Sequence, residues 1–249
     1  MKSLSGLVIQ SGIAYGKVHM MIPSETILSS FDLFINQKDL LNQALKTSTE
    51  ALENAIKQSS EIFNETVAMI FEAHKLMVND PILLTEAYKL IDEGQNAYEA
   101  YRIASEGIIT QFKQLTNDYM RNRIIDIQDA TDRVLYAIKD TVYEQKLLFD
   151  EPRILVLEEM KPSIILSCDK KSIGGFVVQN GSYDQHASLI ARNKSIPGII
   201  LENAMNLINA TDTVLMDAQK GKVYINPSHE IIERYRIKGA ETDELQSIL

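Results

Sequence analysis

The sequence predicts an α/β domain interrupted by an inserted all-α helical hairpin or bundle. Three observations carry this reading. Between Asn36 and Lys146 the only proline is Pro81 and the only glycines are Gly94 and Gly107. The same segment repeats apolar residues at a three-to-four spacing, the period of a helix with one buried face. The flanks, residues 1–35 and 152–230, instead hold short β-branched runs punctuated by Gly and Pro.

Taken in order, Gly6 to Met21 reads as a strand pair with Gly12 and Gly16 as bends. Leu40, Leu41, Ala44, Leu45, Leu52, Ala55, Ile56, Ile62 and Phe63 then share one helical face. The pattern runs on through Val67, Ile70, Phe71, His74 and Met77. Asn79-Asp80-Pro81 ends that helix and starts another, with Asp80 suited to the cap and Pro81 to the first helical position. A short helix breaks near Gly94, and two longer ones are expected over 96–117 and 119–145, which makes four helical segments. Arg153–Leu157 is a buried-strand pattern, and Met160-Lys161-Pro162-Ser163 a turn into a helix. Gly174–Val178, Val214–Asp217 and Lys222–Pro227 are further strands, the last two joined by the turn Gln219-Lys220-Gly221. The final twenty residues are charged and helix-compatible, like an exit linker.

Composition narrows the function classes. The chain has 249 residues and a net charge of −9, of which residues 36–145 hold 18 acidic against 11 basic side chains. An acidic helical segment argues against nucleic acid and against an anionic membrane, and for a basic protein partner. No apolar run approaches the roughly 18–20 residues that span a bilayer, and the first residues do not read as a signal peptide. The single cysteine, Cys168, cannot form an internal disulfide or a Cys-rich zinc site. No two of the four histidines stand at metal-ligand spacing. A cytoplasmic protein with no metal site is the expectation.

The segment that carries chemistry is Phe176 to Arg192. A strand ends at Val178, a polar loop with Gly181 and Ser182 follows, and the apolar-periodic run Ala187, Leu189, Ile190, Ala191 starts a helix. His186 is thereby placed at or near a helix amino terminus. The first backbone N–H groups there lack intrahelical partners, and the helix dipole favours anions. A phosphoryl group carried on His186 would meet those donors. His19, His74 and His229 have no such setting.

At this point the residues resemble a family, enzyme I of the phosphoenolpyruvate:sugar phosphotransferase system. Gly12-Ile13-Ala14-Tyr15-Gly16-Lys17 resembles its opening motif. Phe71-Glu72-Ala73-His74 with Asn79-Asp80-Pro81, and Arg123, Asp126 and Asp129 in an Arg-x-x-Asp-x-x-Asp stretch, resemble its helical insertion. Met160-Lys161-Pro162-Ser163 is similar to its Leu-x-Pro-Ser turn. His186-Ala187-Ser188-Leu189-Ile190-Ala191-Arg192 with Ile196-Pro197-Gly198 matches its active core, and Asp217-Ala218 through Pro227 its closing strands. The matches follow one order along nearly the whole chain.

The resemblance implies a swivelling phosphohistidine α/β subdomain, 1–35 and 147–230, interrupted by a helical subdomain, 36–146, that docks HPr, the small histidine-containing carrier. Residues 231–249 would be a linker helix toward a carboxy-terminal barrel, which in the family binds phosphoenolpyruvate and magnesium. No cofactor is expected in this chain, and the fragment is expected to be monomeric, dimeric only at full length. His186 is the implied nucleophile of a phosphotransferase. Arg192 is implied as a nearby cationic or structural partner, Asp184 as a supporting residue, and Glu72 as a hydrogen-bonding residue. Glu72, His74 and Gln128 are the implied partner-binding set.

The departures from the family pattern lie at the site. The family's Gly-Gly-x-Thr-Ser-His corresponds here to Gly181-Ser182-Tyr183-Asp184-Gln185-His186, with only the first glycine and the histidine kept. Asp184 could cap the following helix or, turned toward His186, repel a phosphoryl group. Gln128 stands where the family has arginine. A diverged, weakly active or inactive binding module is therefore the alternative to a working phosphocarrier. A swivel domain of a dikinase-like enzyme is disfavoured by the long helical insertion.

Overall fold

The structure is a computed structural model describing residues 2–21, 36–140, 143 and 147–242, with backbone alone for 118 and 237–242. The chain divides into two compact units, residues 1–24 with 146–249 and residues 25–145.

The first unit is built on one eight-stranded sheet of order β1-β8-β7-β3-β4-β5-β6-β2. In chain order the strands are β1 (Lys2–Ser5), β2 (Leu7–Gln10), β3 (Ile13–Met21), β4 (Arg153–Glu159), β5 (Ile173–Asn180), β6 (Gly198–Ile200), β7 (Thr213–Asp217) and β8 (Lys222–Ile225). The four inner strands β3, β4, β5 and β6 run parallel, and antiparallel pairs close both sides. Gly6 to Met21 holds the expected two strands, β2 and β3, and β1 precedes them as a further strand. Gly12 does turn the chain, at φ +147°, and a Cβ there would meet Pro197 Cγ at 2.6 Å. Gly16 is no bend: it lies inside β3, where a Cβ would come within 2.5 Å of the Pro152 carbonyl oxygen. β6 is too short for its alternation to be read from sequence.

Parallel strands need crossovers, and α7 (Pro162–Ser167) and α8 (His186–Asn193) supply those from β4 to β5 and from β5 to β6. One face of the sheet buries Ala14, Val18, Ile154, Val156, Val177, Val214 and Met216 against α9 (Ala204–Leu207). The alternate residues Leu155, Leu157, Phe176 and Val178 are buried as well. This two-sided burial explains why β4 and β5 read as continuous apolar runs. α10 (His229–Thr242) is tied to the sheet by Tyr235, whose hydroxyl donates to the buried Asp217 carboxylate at 2.7 Å.

The second unit comprises α1 (Gln37–Ile62), α2 (Glu65–Val78), α3 (Pro81–Asp92), α4 (Ala97–Lys113), a single turn α5 (Asp118–Arg121) and α6 (Ile124–Ile138). α1 pairs with α2, α3 with α4, and α6 packs against α1, α2 and α4. Asp80 caps α3 through the N–H groups of Ile82 and Leu83, with Pro81 at its first position, as the sequence predicts. Two expectations need correction. The single helix expected up to Asn79 is broken at Phe63-Asn64, where the Asn64 side chain accepts the Val67 N–H at 3.0 Å and opens α2. Apolar periodicity persists across this break because both helices face the same core. The helix expected over 119–145 is instead α5 and α6, and α6 ends before Asp140, whose φ is +51°.

Asp212 organises the turn before β7. Its carboxylate accepts the Asn209 N–H and the Asn226 side-chain amide, each at 2.8 Å, and Asn226, itself at φ +49°, accepts the Thr213 N–H at 3.0 Å. Burial pushes the Asp212 pKa up, but the hydrogen bonds from the Asn209 backbone, the Asn226 side chain and the Asn209 side chain outweigh it and hold it below the ordinary value. A folded value below the unfolded one means that the unfolded chain binds more protons. The stabilisation is therefore complete above the unfolded carboxylate pKa, about 4, and is lost as pH falls through the folded value. Asp212→Asn is expected to cost about 1–2 kcal/mol at neutral pH and much less near pH 3. Urea unfolding at both pH values checks this, and an equal loss at both would contradict it.

Candidate functional site

The parallel ladder sets the position of His186. β5 is paired on both sides, by β4 and β6, to the ends of the register at Asn180 and Ile200. The chain leaves the carboxyl end of β5, makes the loop 181–185 and enters α8 with His186 as its first residue. In open parallel sheets ligands bind at this edge, beyond the carboxyl ends of the strands. Gln185 is the N-cap, in extended conformation, and its side chain makes no capping hydrogen bond. The first intrahelical bond runs from the Leu189 N–H to the Gln185 carbonyl at 3.2 Å. The N–H groups of residues 186–188 thus precede it at the positive end of the helix. The imidazole is half-buried on this end, while Ala187, Ser188, Ile190 and Ala191 anchor the helix in the core.

Helix and loop hold each other. Ser188 Oγ donates to the Ser182 carbonyl at 2.7 Å. Arg192 Nη1 donates to the Tyr183 carbonyl at 2.7 Å, and its guanidinium lies 4.0 Å from the Tyr183 ring centroid. Arg192 therefore acts on the loop ahead of His186, a structural contact. Of the two arrangements open to Asp184, capping is not the one found: the cap position is occupied by Gln185. Asp184 is exposed and makes no hydrogen bond or ion pair among the described residues.

Lys194, just after α8, donates to the carbonyls of Leu166 and Cys168 at 2.6 Å each and so fastens α8 to the end of α7. Burial lowers its pKa. Burial likewise pushes the Cys168 thiol up to about 12, against a smaller opposing pull from Lys194. Cys168 is therefore a protonated core residue and no competitor as a nucleophile.

In the helical unit the expected partner-binding residues separate. Glu72 is exposed on α2, beside a groove lined by Glu53, Ile56, Lys57, Lys75 and Leu76. His74, two residues on and therefore about 200° around the helix, is 1% exposed. The expectation of a direct partner contact by His74 is thereby corrected: the side chain lies inside the bundle. Its Nδ1 is 3.8 Å from Asp129 Oδ2 and its Nε2 is 3.9 Å from Asp126 Oδ1. The Phe71 ring stands edge-on to it, with centroids 5.6 Å apart. Buried carboxylates persist only when paired. Arg123 Nη1 donates to Asp126 at 3.1 Å, and Tyr143 Oη donates to Asp129 at 2.6 Å while the Arg133 guanidinium lies over its ring. Gln128 is half-buried on α6 between the two aspartates in sequence. Arg133 and Tyr143 were missed by sequence reasoning. The available signal was Asp126, Asp129 and Arg133 at i, i+3 and i+7, charged residues on the face that α6 buries.

Replacing Arg192 by Gln removes both the hydrogen bond to Tyr183 and the stacking, at an expected cost of about 1 kcal/mol. Amide hydrogen exchange should speed up at residues 182–187 and stay unchanged in β4 and β5. Uniform acceleration across the sheet would refute a local clamp.

Comparison with known proteins agrees with this architecture. Residues 5–123 match the family model described as PEP-utilising enzyme, N-terminal, and residues 149–221 that of its mobile domain. The phosphoenolpyruvate-protein phosphotransferase of Latilactobacillus sakei is 29% identical over 243 residues, and that of Geobacillus stearothermophilus 30% over 244. Each alignment covers 96% of this chain and 42% of the relative, so the chain spans less than half the length of these curated relatives. A solution structure of enzyme I shares the fold with a TM-score of 0.69, 23% identity and coverage of 96% of this chain and 99% of that one. The N-terminal domain of the nitrogen-type enzyme I matches with a TM-score of 0.61 at 20% identity, covering 95% and 99%. With the ordered motifs, the strand-to-helix setting of His186 and the helical insertion, these matches establish that the chain belongs to the phosphoenolpyruvate-utilising enzymes, as the amino-terminal portion of the enzyme I family.

Proposed function

We propose that this chain is a phosphocarrier module in which His186 accepts a phosphoryl group and exchanges it with HPr. The single observation that carries the reading is His186 at the first position of α8, a helix end with no side-chain cap. A ring nitrogen of His186 attacks the phosphorus held on the carrier's histidine. The new N–P bond forms as the carrier's N–P bond breaks; the departing imidazole keeps the electron pair and takes up a proton, matched by the ring proton that His186 releases to water. The reverse reaction runs through the same geometry. Little covalent chemistry is asked of the protein, and alignment and stabilisation of the phosphoryl oxygens supply the rate.

The acidic helical unit supports a basic carrier as partner, and exposed Glu72 on α2, with Gln128 on α6, would face it. His74 would contribute from within, by fixing α2 against α6. Phosphoenolpyruvate and magnesium are assigned to the barrel found in the family, and no metal or cofactor to this chain's own residues. We assign the piece to the cytoplasm and to the monomeric state, dimerisation belonging to the rest of a full-length enzyme. No helix among the described residues is long and apolar enough to cross a membrane. The choice between sugar transport and nitrogen regulation follows from the carrier that docks.

One observation favours a second reading, a diverged docking module with slow or absent transfer. Asp184 places an exposed negative charge in the loop two residues before the acceptor. The two readings separate on incubation with labelled, phosphorylated HPr. Acid-labile, base-stable label should appear on the wild type and vanish in His186→Ala. Binding of HPr without any label on the wild type would leave the docking module standing. Asp184→Thr should raise the transfer rate by up to about fivefold, the size of an exposed charge interaction, and most at low salt.

A further inference from the structure

The β-sheet unit carries a cationic cluster that the chemistry at His186 does not use. Lys17 and Arg153 are register partners across the parallel pair β3 and β4, and His19 lies two residues further along β3. The three side chains therefore leave the same face of the sheet, the face opposite the core formed by Val18, Ile154 and Val156. Phe149 organises them. Its ring centroid is 4.9 Å from that of His19, and the Arg153 guanidinium lies 5.6 Å from it. Lys17 is held by Glu151 at 3.8 Å. Arg153 is different: its Nε is buried with no hydrogen-bond partner, and the guanidinium makes no hydrogen bond or ion pair among the described residues. A buried donor left without a partner is costly, and the planar fork of arginine fits two oxygens of one anion. Burial first, and then the charge of Arg153, lowers the His19 pKa, so the imidazole is neutral at neutral pH and offers a ring N–H beside the guanidinium rather than a second charge.

We infer that Arg153 and His19, seated on Phe149, form a binding site for a small oxyanion of the phosphate or carboxylate kind. The site is separate from the phosphoryl acceptor. Arg153 begins β4 opposite Ile173 at the start of β5, whereas His186 follows the far end of β5. Seven residues of strand, about 23 Å at 3.3 Å each, lie between the two ends.

The test follows the His19 imidazole by NMR in the full chain, titrated with inorganic phosphate and, separately, with acetate at constant ionic strength and pH, with chloride as control. Saturable shifts of the His19 ring are expected with phosphate, acetate or both, and the arm that responds identifies the anion class. Arg153→Gln keeps the backbone bond from residue 153 to the Ser172 carbonyl and should weaken binding about tenfold, the effect of losing one charge-assisted hydrogen bond of about 1.4 kcal/mol. Phe149→Leu, which removes the aromatic platform, should weaken it as well. Absence of a saturable shift with either anion in the wild type, or binding unchanged in a folded Arg153→Gln protein, would overturn the inference.

Discussion

The pairing of β5 between β4 and β6 is the constraint on which the α/β unit depends. Because both neighbours run parallel to it, each connection must cross over the sheet, and the crossovers are α7 and α8. That geometry brings the chain off the carboxyl end of β5 into a short loop and straight into a helix whose first residue is His186. The helix is then fixed at both ends. Ser188 and Arg192 hold the loop before it, and Lys194 ties its far end to α7. The placing of His186 is thus a consequence of strand pairing, with side-chain ties limiting how far the loop can drift.

The helical unit is organised by a different interaction. α6 buries Asp126, Asp129 and Arg133 along with its apolar residues, and His74 on α2 reaches between the two carboxylates. Such groups are costly in a core, and apolar replacements of similar volume often pack as well or better. What they add is a defined relation between α2 and α6, because a charged group tolerates only the arrangement that supplies its partners. Exposed Glu72 and half-buried Gln128 stand on these two helices. A buried network that fixes their spacing lets the surface stay polar and acidic without losing shape.

Several elements were legible in the residues for simple physical reasons. The cap at Asp80-Pro81, the apolar runs of β4 and β5 and the polar loop ahead of His186 each follow from local chemistry. The break at Asn64 was hidden because the helical period continues through it, and only the Asn64 side chain turning to the Val67 N–H marks the new helix. β6, three residues long, exists as a strand only because β5 and β2 lie on either side of it. His74 is the instructive case. It stands at the helical spacing of Phe71, Val67 and Ile70, so its burial was written in the periodicity, yet a histidine in a motif reads more readily as a surface ligand.

The sequence by itself determined the order of elements, the interruption of an α/β unit by helices and the placing of His186 at a helix start, because strand, loop and helix signals are local and because the ordered motifs extend along the chain. Tertiary structure decided the rest. It gave the cap of α8 to Gln185 and left Asp184 exposed, and it turned Arg192 onto Tyr183. It set His74 between Asp126 and Asp129, and it left the Arg153 Nε buried beside His19 and Phe149 without a hydrogen-bond partner. These outcomes depend on which side chains meet across distant parts of the chain, and local periodicity carries no information about that.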